Sequence, residues 1–417
     1  MLTRLGLPEG SAFRWFFAGQ ATSALGDGFV PVVFAFAALE VSKSGAVLTA
    51  VLLALWLTNI TLLPAASTFT ERHNKVAVLI GSDIAQLLAQ ALVAVVFLAG
   101  IQQSWHLILS AAIYGAASAF FDPASFALLP HLVDKDKLQP ANGFMNIANN
   151  IGGIAGPALG ALLVTVGGVG FALLVDCATF LVSIATLMVV ARTLRRTKIS
   201  NAVDAGDEGD DMNGDEKIRF TDALRLVARM PAVFGVLILF CLVQFTSGAV
   251  AVIGPVIAKD YLGGIGSWSI LATAIAVGGL AGGVLATRVC VRNPIRLTIL
   301  AFGTLAPLEL AALGVPAPVL WLAPIFAITT AVTELAGTAF ESWVQGNVPE
   351  NYLARVGAVE TGMLGAMSPL GIAVAVPAAT LFGAGPMLMG FAAVIAIAAA
   401  MIGIDARRRL RTPILAR

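Results

Sequence analysis

The sequence predicts an all-α membrane protein with twelve transmembrane helices in two pseudo-symmetric six-helix halves. Three observations carry that expectation. The 417-residue chain is 58% hydrophobic and only 12% charged, where a soluble domain is typically about a quarter charged. Its apolar runs recur at roughly the 20-residue length that a bilayer crossing needs. Its basic residues gather on one side of those runs. No stretch shows the two-residue alternation of a transmembrane barrel.

The spans are expected near 12–39, 45–68, 76–100, 106–132, 141–165, 168–191, 230–258, 266–287, 296–314, 317–346, 353–381 and 386–404. Several exceed a perpendicular crossing, which predicts tilt or extension beyond the bilayer. With the N-terminus inside, Lys43 and Lys259 fall outside and the other 23 of the 25 Lys and Arg fall inside. Cytosolic loops of membrane proteins carry that excess, so both termini are expected in the cytosol. The first apolar run is long and lacks a small-residue cleavage pattern, so no cleaved signal peptide is expected.

The expected organisation is a six-helix half over 1–193, a cytosolic linker over 194–229, a second half over 230–406 and a basic tail over 407–417. The linker is rich in Asp, Glu and Gly and cannot bury enough apolar surface to fold alone, so part of it is expected to be disordered. Its last stretch, "FTDALRLVARM", reads as an interfacial helix capped by Thr221, with Leu224 and Val227 toward lipid and Arg225 and Arg229 toward water. It reads equally as an extension of span seven.

The halves carry a repeat. "STFTERHNKV" at 67–76 pairs with "GVLATRVCVR" at 283–292, an offset of 216 that sets Arg72 against Arg288. Val133 and Leu138 pair with Val348 and Leu353 at an offset of 215. Duplicated six-span halves place a transport site between them near the midplane.

Several classes are excluded. No Gly-x4-Gly-Lys-Ser/Thr loop is present for an ATP-driven pump, and no filter-like loop or ring of charges for a channel. His73, His106 and His131 stand apart, so no metal or cofactor is expected, and no basic tract suits nucleic acid. Nothing points to an enzyme. Cys177, Cys241 and Cys290 lie in or at the ends of apolar runs and are expected to be reduced and buried.

Acids inside spans cost roughly 2.5–3.5 kcal/mol or more and are functional candidates. They are Asp27, Asp122, Asp176, Glu309, Glu334 and Glu341, with no Lys or Arg at mid-span to pair with them. A carboxyl in an apolar surround can take up and release a proton or attract a cation. Trp56, Asn59 and Gln244 are candidates for lining a cavity, or for plain helix packing.

"GQATSALGDGF", "FFDPASFALLPHLVDKDKLQPANG" and "VPENYLARVGAV" resemble elements of the major facilitator superfamily, within it the bacterial drug-efflux group of macrolide-efflux and enterobactin-exporter-like proteins. "GGIAGPALGA" resembles the superfamily's antiporter motif through Gly152, Gly156, Pro157 and Gly160, with Ala161 in place of the last Gly. Small residues at that spacing let helix backbones approach closely, and Pro157 can bend the helix. "STFTERHNKV" resembles the loop motif after span two, with Ser67, Glu71, Arg72, Asn74 and Lys75 at its positions.

The resemblance implies a cytosolic gate formed by Glu71, Arg72, Asn74 and Lys75, with Asp83 and Glu360 as charged partners and Arg288 as the repeat counterpart. Asn74 is expected to make a tight turn at positive φ. Spans one, four, seven and ten would line the cavity, which ranks Asp27 and Glu334 first for proton or substrate coupling. Asp122 and Glu341 would lie nearer the gate, and Asp176 and Glu309 on scaffold spans. The implied function is proton-coupled export of amphipathic small molecules by alternating access, by a monomer in the bacterial inner membrane. The alternatives are a lysolipid or siderophore flippase and a non-transporting scaffold or sensor.

Overall fold

The computed structural model describes residues 11–41, 45–204, 225, 230–262, 265–315 and 317–409. The linker from 205, most of "FTDALRLVARM" and the tail from 410 lie outside the described residues, as does Lys43. Among the described residues there is no strand.

The helices are α1 (Ser11–Val41), α2 (Gly45–Arg72), α3 (Lys75–Leu98) and α4 (Ser104–Leu128), then two short 3-10 turns and a continuous run Leu138–Asp204. Gly168, at φ 76°, breaks that run. Its arms are α5 (residues 138–167) and α6 (residues 169–204). They are followed by α7 (Pro231–Tyr261), α8 (Ile265–Arg288), α9 (Pro294–Gly314), α10 (Val319–Asn347), α11 (Glu350–Phe382) and α12 (Ala384–Arg409). Among the described residues, eleven segments are long and apolar enough to cross a membrane, and one of them, Lys135–Arg195, has 61 residues. At about 1.5 Å per residue it would be roughly 90 Å long, three times a bilayer core of about 30 Å. Folded back at Gly168, it supplies two crossings, which makes twelve. Only glycine holds that left-handed turn without strain.

Helix α6 runs on to Asp204, past the boundary expected at 193. "TLRRTKISNA" contains no Gly or Pro and is rich in residues that tolerate a helix, so the apolar span continues as a polar extension.

The chain divides into two compact units. The first holds Met1–Ala223 with Gln345–Ala358, and the second Leu224–Val344 with Val359–Arg417. The division departs from the expected halves at 345–358, the turn between α10 and α11, which packs with the first unit.

Each unit is paired internally in the same way. In the first, α1 meets α5 where a Cβ on Gly28 would strike the Gly152 carbonyl, and α2 meets α4 where a Cβ on Gly115 would strike Leu55. Helix α3 packs on α6, where Gly170 lies against Ala94 and Leu98. In the second, Gly248 meets Ser368 (α7 on α11), Gly278 and Gly282 meet Ala327 and Ala331 (α8 on α10), and Gly303 meets Ala399 (α9 on α12). First on fifth, second on fourth and third on sixth recur, which is the pseudo-symmetry in structural terms. Large apolar side chains such as Leu57, Leu88, Leu320 and Trp321 are exposed, as a lipid-facing surface requires.

The antiporter-motif glycines are among the close helix contacts of the first unit. A Cβ on Gly156 would overlap the Gly28 backbone and one on Gly160 would crowd Phe29, whereas a Cβ on Gly153 meets nothing within 4 Å. Pro157 is exposed. Gly156→Ala is therefore expected to destabilise by about 1–3 kcal/mol through overpacking. Gly153→Ala is expected to be neutral or to gain up to about 1 kcal/mol. Thermal unfolding of the purified variants in one detergent checks the contrast.

Candidate functional site

Helix α2 ends in a polar cluster. Glu71 and Arg72 are its last two residues, and Asn74 caps the next helix. Glu71 turns inward. Its Oε2 forms an ion pair with Arg355 Nη1 in the second turn of α11. Its Oε1 accepts the Arg355 backbone N–H at 3.0 Å. The two side chains are 4% and 3% exposed. Burying two charges is repaid only where geometry and hydrogen bonding are good. Here one carboxylate answers both the guanidinium and a backbone donor.

Further contacts hold the same turn of chain. Lys75 Nζ and His131 Nε2 each lie 3.2 Å from Glu350 Oε1. Buried Asn142 donates to Gln345 Oε1 at 2.7 Å, and Gln345 Nε2 reaches the Phe126 carbonyl at 3.5 Å. Leu63, Ala66, Ala119 and Ala358 close a small apolar core beside them. The arrangement is a latch joining the ends of α2, α4 and α5 to the start of α11.

The latch differs from the sequence expectation in its partners. Arg72 is exposed and forms no ion pair among the described residues. Asp83 is fully buried in α3, beside Ser183 of α6. It lies two turns inside the helix, beyond reach of the loop. Glu360 belongs to the second unit and lies near Glu341 and Cys241. The partner of Glu71 is instead Arg355. Asn74 is not at positive φ. It has φ −62° and ψ 114°, and its Oδ1 accepts the N–H groups of Val76 and Ala77 at 3.0 and 3.2 Å. An amide side chain satisfies the orphan donors of a helix start, so capping takes the place of a left-handed turn. Arg288 ends α8 as Arg72 ends α2, and is exposed. Cys177 is buried and Cys241 half-buried, but Cys290 is exposed because it lies past the end of α8.

Deeper in the first unit, Asp27 is exposed on α1 and accepts a hydrogen bond from the hydroxyl of buried Tyr114 on α4. Its neighbours serve packing: Gly26 faces Asp176 and Thr179 on α6, and Gly28 faces Gly152 and Gly156 on α5. Asp27 thus stands where three helices meet, with its carboxylate turned toward α4. Asp122, on the same helix as Tyr114, is also exposed and close enough to feel the Asp27 charge. Asp176 is fully buried beside Thr179 and Gln90.

In the second unit, Glu309 accepts a 2.7 Å bond from Thr329. Glu334, half-buried on α10, packs at Gly282 of α8. Glu341 is half-buried and lies near Glu334 and Glu360. Gln244 and Trp56 are exposed. Asn59 donates to the Gly115 carbonyl at 3.3 Å, tying α2 to α4. Among the described residues no three His, Cys, Asp or Glu side chains converge as a metal site would need.

Sequence reasoning missed Arg355, Glu350, Asn142, Gln345 and Tyr114. One signal pointed to Arg355: it is an arginine inside an expected span, in the segment that repeats the loop after α4. Tyr114 carried no signal beyond its place on α4.

A profile described as Major Facilitator Superfamily matches residues 16–363. The chain belongs to the major facilitator superfamily. Proteins of that superfamily are membrane transporters. Among its relatives, macrolide efflux protein A of Streptococcus pyogenes is 24% identical over 274 residues, 66% of this chain and 65% of that protein. The chain therefore spans just under two thirds of that relative's length. An uncharacterized transporter of the superfamily, YfiS of Bacillus subtilis, is 24% identical over 82% of this chain and 81% of that protein. In fold, the superfamily member resembles a bacterial homologue of the iron transporter ferroportin in an outward-facing state. The TM-score is 0.69 at 16% identity, covering 96% of this chain and all of that one. It also resembles the Escherichia coli fucose:proton symporter, with TM-score 0.64 at 13% identity, covering 94% of this chain and 98% of that one.

The latch makes a specific demand on stability. Glu71→Ala leaves a buried, uncompensated Arg355, and should cost about 3–5 kcal/mol. Glu71→Met with Arg355→Met removes both charges and should recover most of that loss. Thermal unfolding of the three proteins side by side checks the order.

Proposed function

We propose that this transporter exports amphipathic small molecules by alternating access, driven by protons, with Asp27 as the coupling group. The observation that carries the reading is the exposed Asp27 carboxylate held by the Tyr114 hydroxyl, on a helix braced by the antiporter-motif glycines. An acid within an apolar span is costly and is tolerated where it serves transport. Tyr114 gives it an oriented donor and leaves one oxygen for a proton or a cationic substrate. Glu334 is the corresponding candidate in the second unit, with Asp122 and Glu341 as further acids along α4 and α10.

The latch supplies the gate of this cycle. Glu71 with Arg355, and Lys75 with Glu350, hold one end of the first unit together. The one-sided distribution of Lys and Arg supports a cytosolic position for that end. The drug-like class of cargo is supported by the macrolide efflux relatives and by the scarcity of polar groups across the spans. The reading takes the protein as a monomer of a bacterial inner membrane.

In proteoliposomes, Asp27→Asn should abolish efflux driven by a pH gradient, because an amide cannot cycle a proton. Tyr114→Phe should keep transport but slow it. A flux assay with a cationic fluorescent drug checks both. Transport by Asp27→Asn at the parent rate would remove Asp27 from the coupling role.

A further inference from the structure

A cavity of about 550 Å³ opens where α3, α4 and α6 come together beside the latch. Four basic side chains line it, His73, Lys75, His131 and Arg195, against one carboxylate, Glu350. Its floor is apolar, made by Val76, Ile80, Leu128 and Leu194. Glu350 is shared between Lys75 and His131, and its side chain is 62% exposed. Arg195 is exposed and forms no ion pair among the described residues. The cavity therefore carries an excess of positive charge, answered by one solvated acid that exposed pairing holds weakly.

A second cavity, about 500 Å³, continues from the first: His73 and Ala77 line both. It runs between α3 and α4 over Gly81, Ala85, Ala116 and Phe120 and is almost wholly apolar. Its mouth is open at Gly81, where a Cβ would meet no atom within 4 Å. The same helix presents Ile84, Leu88, Leu92 and Val95 as exposed apolar side chains, the face a helix turns to lipid. From Lys75 to Ala85 the helix rises roughly 15 Å, about half of a 30 Å bilayer core and so the depth of one leaflet.

We propose that these joined cavities bind an acidic phospholipid of the adjoining leaflet, with its phosphate on Lys75, His131 and Arg195 and one acyl chain along the groove at Gly81. The charge excess selects an anionic headgroup over a zwitterionic one, since juxtamembrane Lys and Arg attract acidic lipids. The apolar groove selects a lipid over free phosphate. A phosphate there competes with Glu350 for Lys75 and His131. Glu350 opens α11, five residues before Arg355, so leaflet composition bears on the latch. The site does not depend on what the protein transports.

Native mass spectrometry of the delipidated protein tests this, with added phosphatidylglycerol, phosphatidylcholine or inorganic phosphate. The parent should retain phosphatidylglycerol several-fold over phosphatidylcholine. Arg195→Gln with Lys75→Gln should bring the two lipids level. Gly81→Leu fills open space at the groove mouth and should lower retention of phosphatidylglycerol while leaving the melting temperature in place. Equal retention of both lipids by the parent overturns the proposal. So does an unchanged preference in the double variant, an unchanged load in Gly81→Leu, or displacement of the lipid by millimolar inorganic phosphate.

Discussion

The buried pair between Glu71 and Arg355 is the interaction on which the organisation of the first unit turns. Two ions lose most of their hydration there, and neither is tolerable alone. The pair is therefore close to all-or-none. While it stands, residues 345–358 pack with a unit that is otherwise built from the first six helices. The neighbouring contacts are of another kind. Glu350 is largely exposed, so its interactions with Lys75 and His131 are screened and individually weak. The Asn142–Gln345 bond is buried but neutral. These contacts align the turn, while the ion pair decides whether it is docked.

A second constraint lies at mid-bundle. In lipid there is no hydrophobic driving force between helices, so close backbone approach does the work of association. The run Gly152, Gly156, Gly160 gives α5 a groove that admits α1 at Ala24, Gly28 and Phe29. That approach fixes the rotation of α1 and so determines where Asp27 points. The same logic recurs in the second unit at Gly248 and Gly371. Packing residues and the charged residue are thus parts of one device: the glycines carry no chemistry, but they set the direction of the one carboxylate that the Tyr114 hydroxyl meets.

Much of this was legible in the sequence because bilayers leave few options. Apolar length and the absence of alternation allow only helices, and the offset repeats expose the duplication. The antiporter-motif glycines were legible as close-packing residues, since only small side chains recur at that spacing for that purpose. Partner choice was not. The loop after α2 advertises Glu71, Arg72, Asn74 and Lys75 together, yet only the fold shows that Glu71 and Lys75 point to α11 while Arg72 points outward. Asn74 illustrates the same limit: asparagine suits both a left-handed turn and a helix cap, and the choice depends on how far α3 extends toward the loop. Asp83 is close in sequence to Arg72 but lies two turns inside α3, where rotation carries it to the face packed on α6. Helix α6 continues past its apolar span, because polarity marks the membrane edge and not the helix end.

Glu71 and Arg355 together dock the start of α11 onto the end of α2. The most direct measurement is a distance distribution by double electron–electron resonance, from spin labels at Arg72→Cys and Asn347→Cys in a background lacking Cys177, Cys241 and Cys290. Both labelled positions are exposed. With the pair intact, one narrow, short distribution is expected. With Glu71→Gln added, a second, longer population is expected. The same single distribution in both proteins would show that the pair does not dock α11.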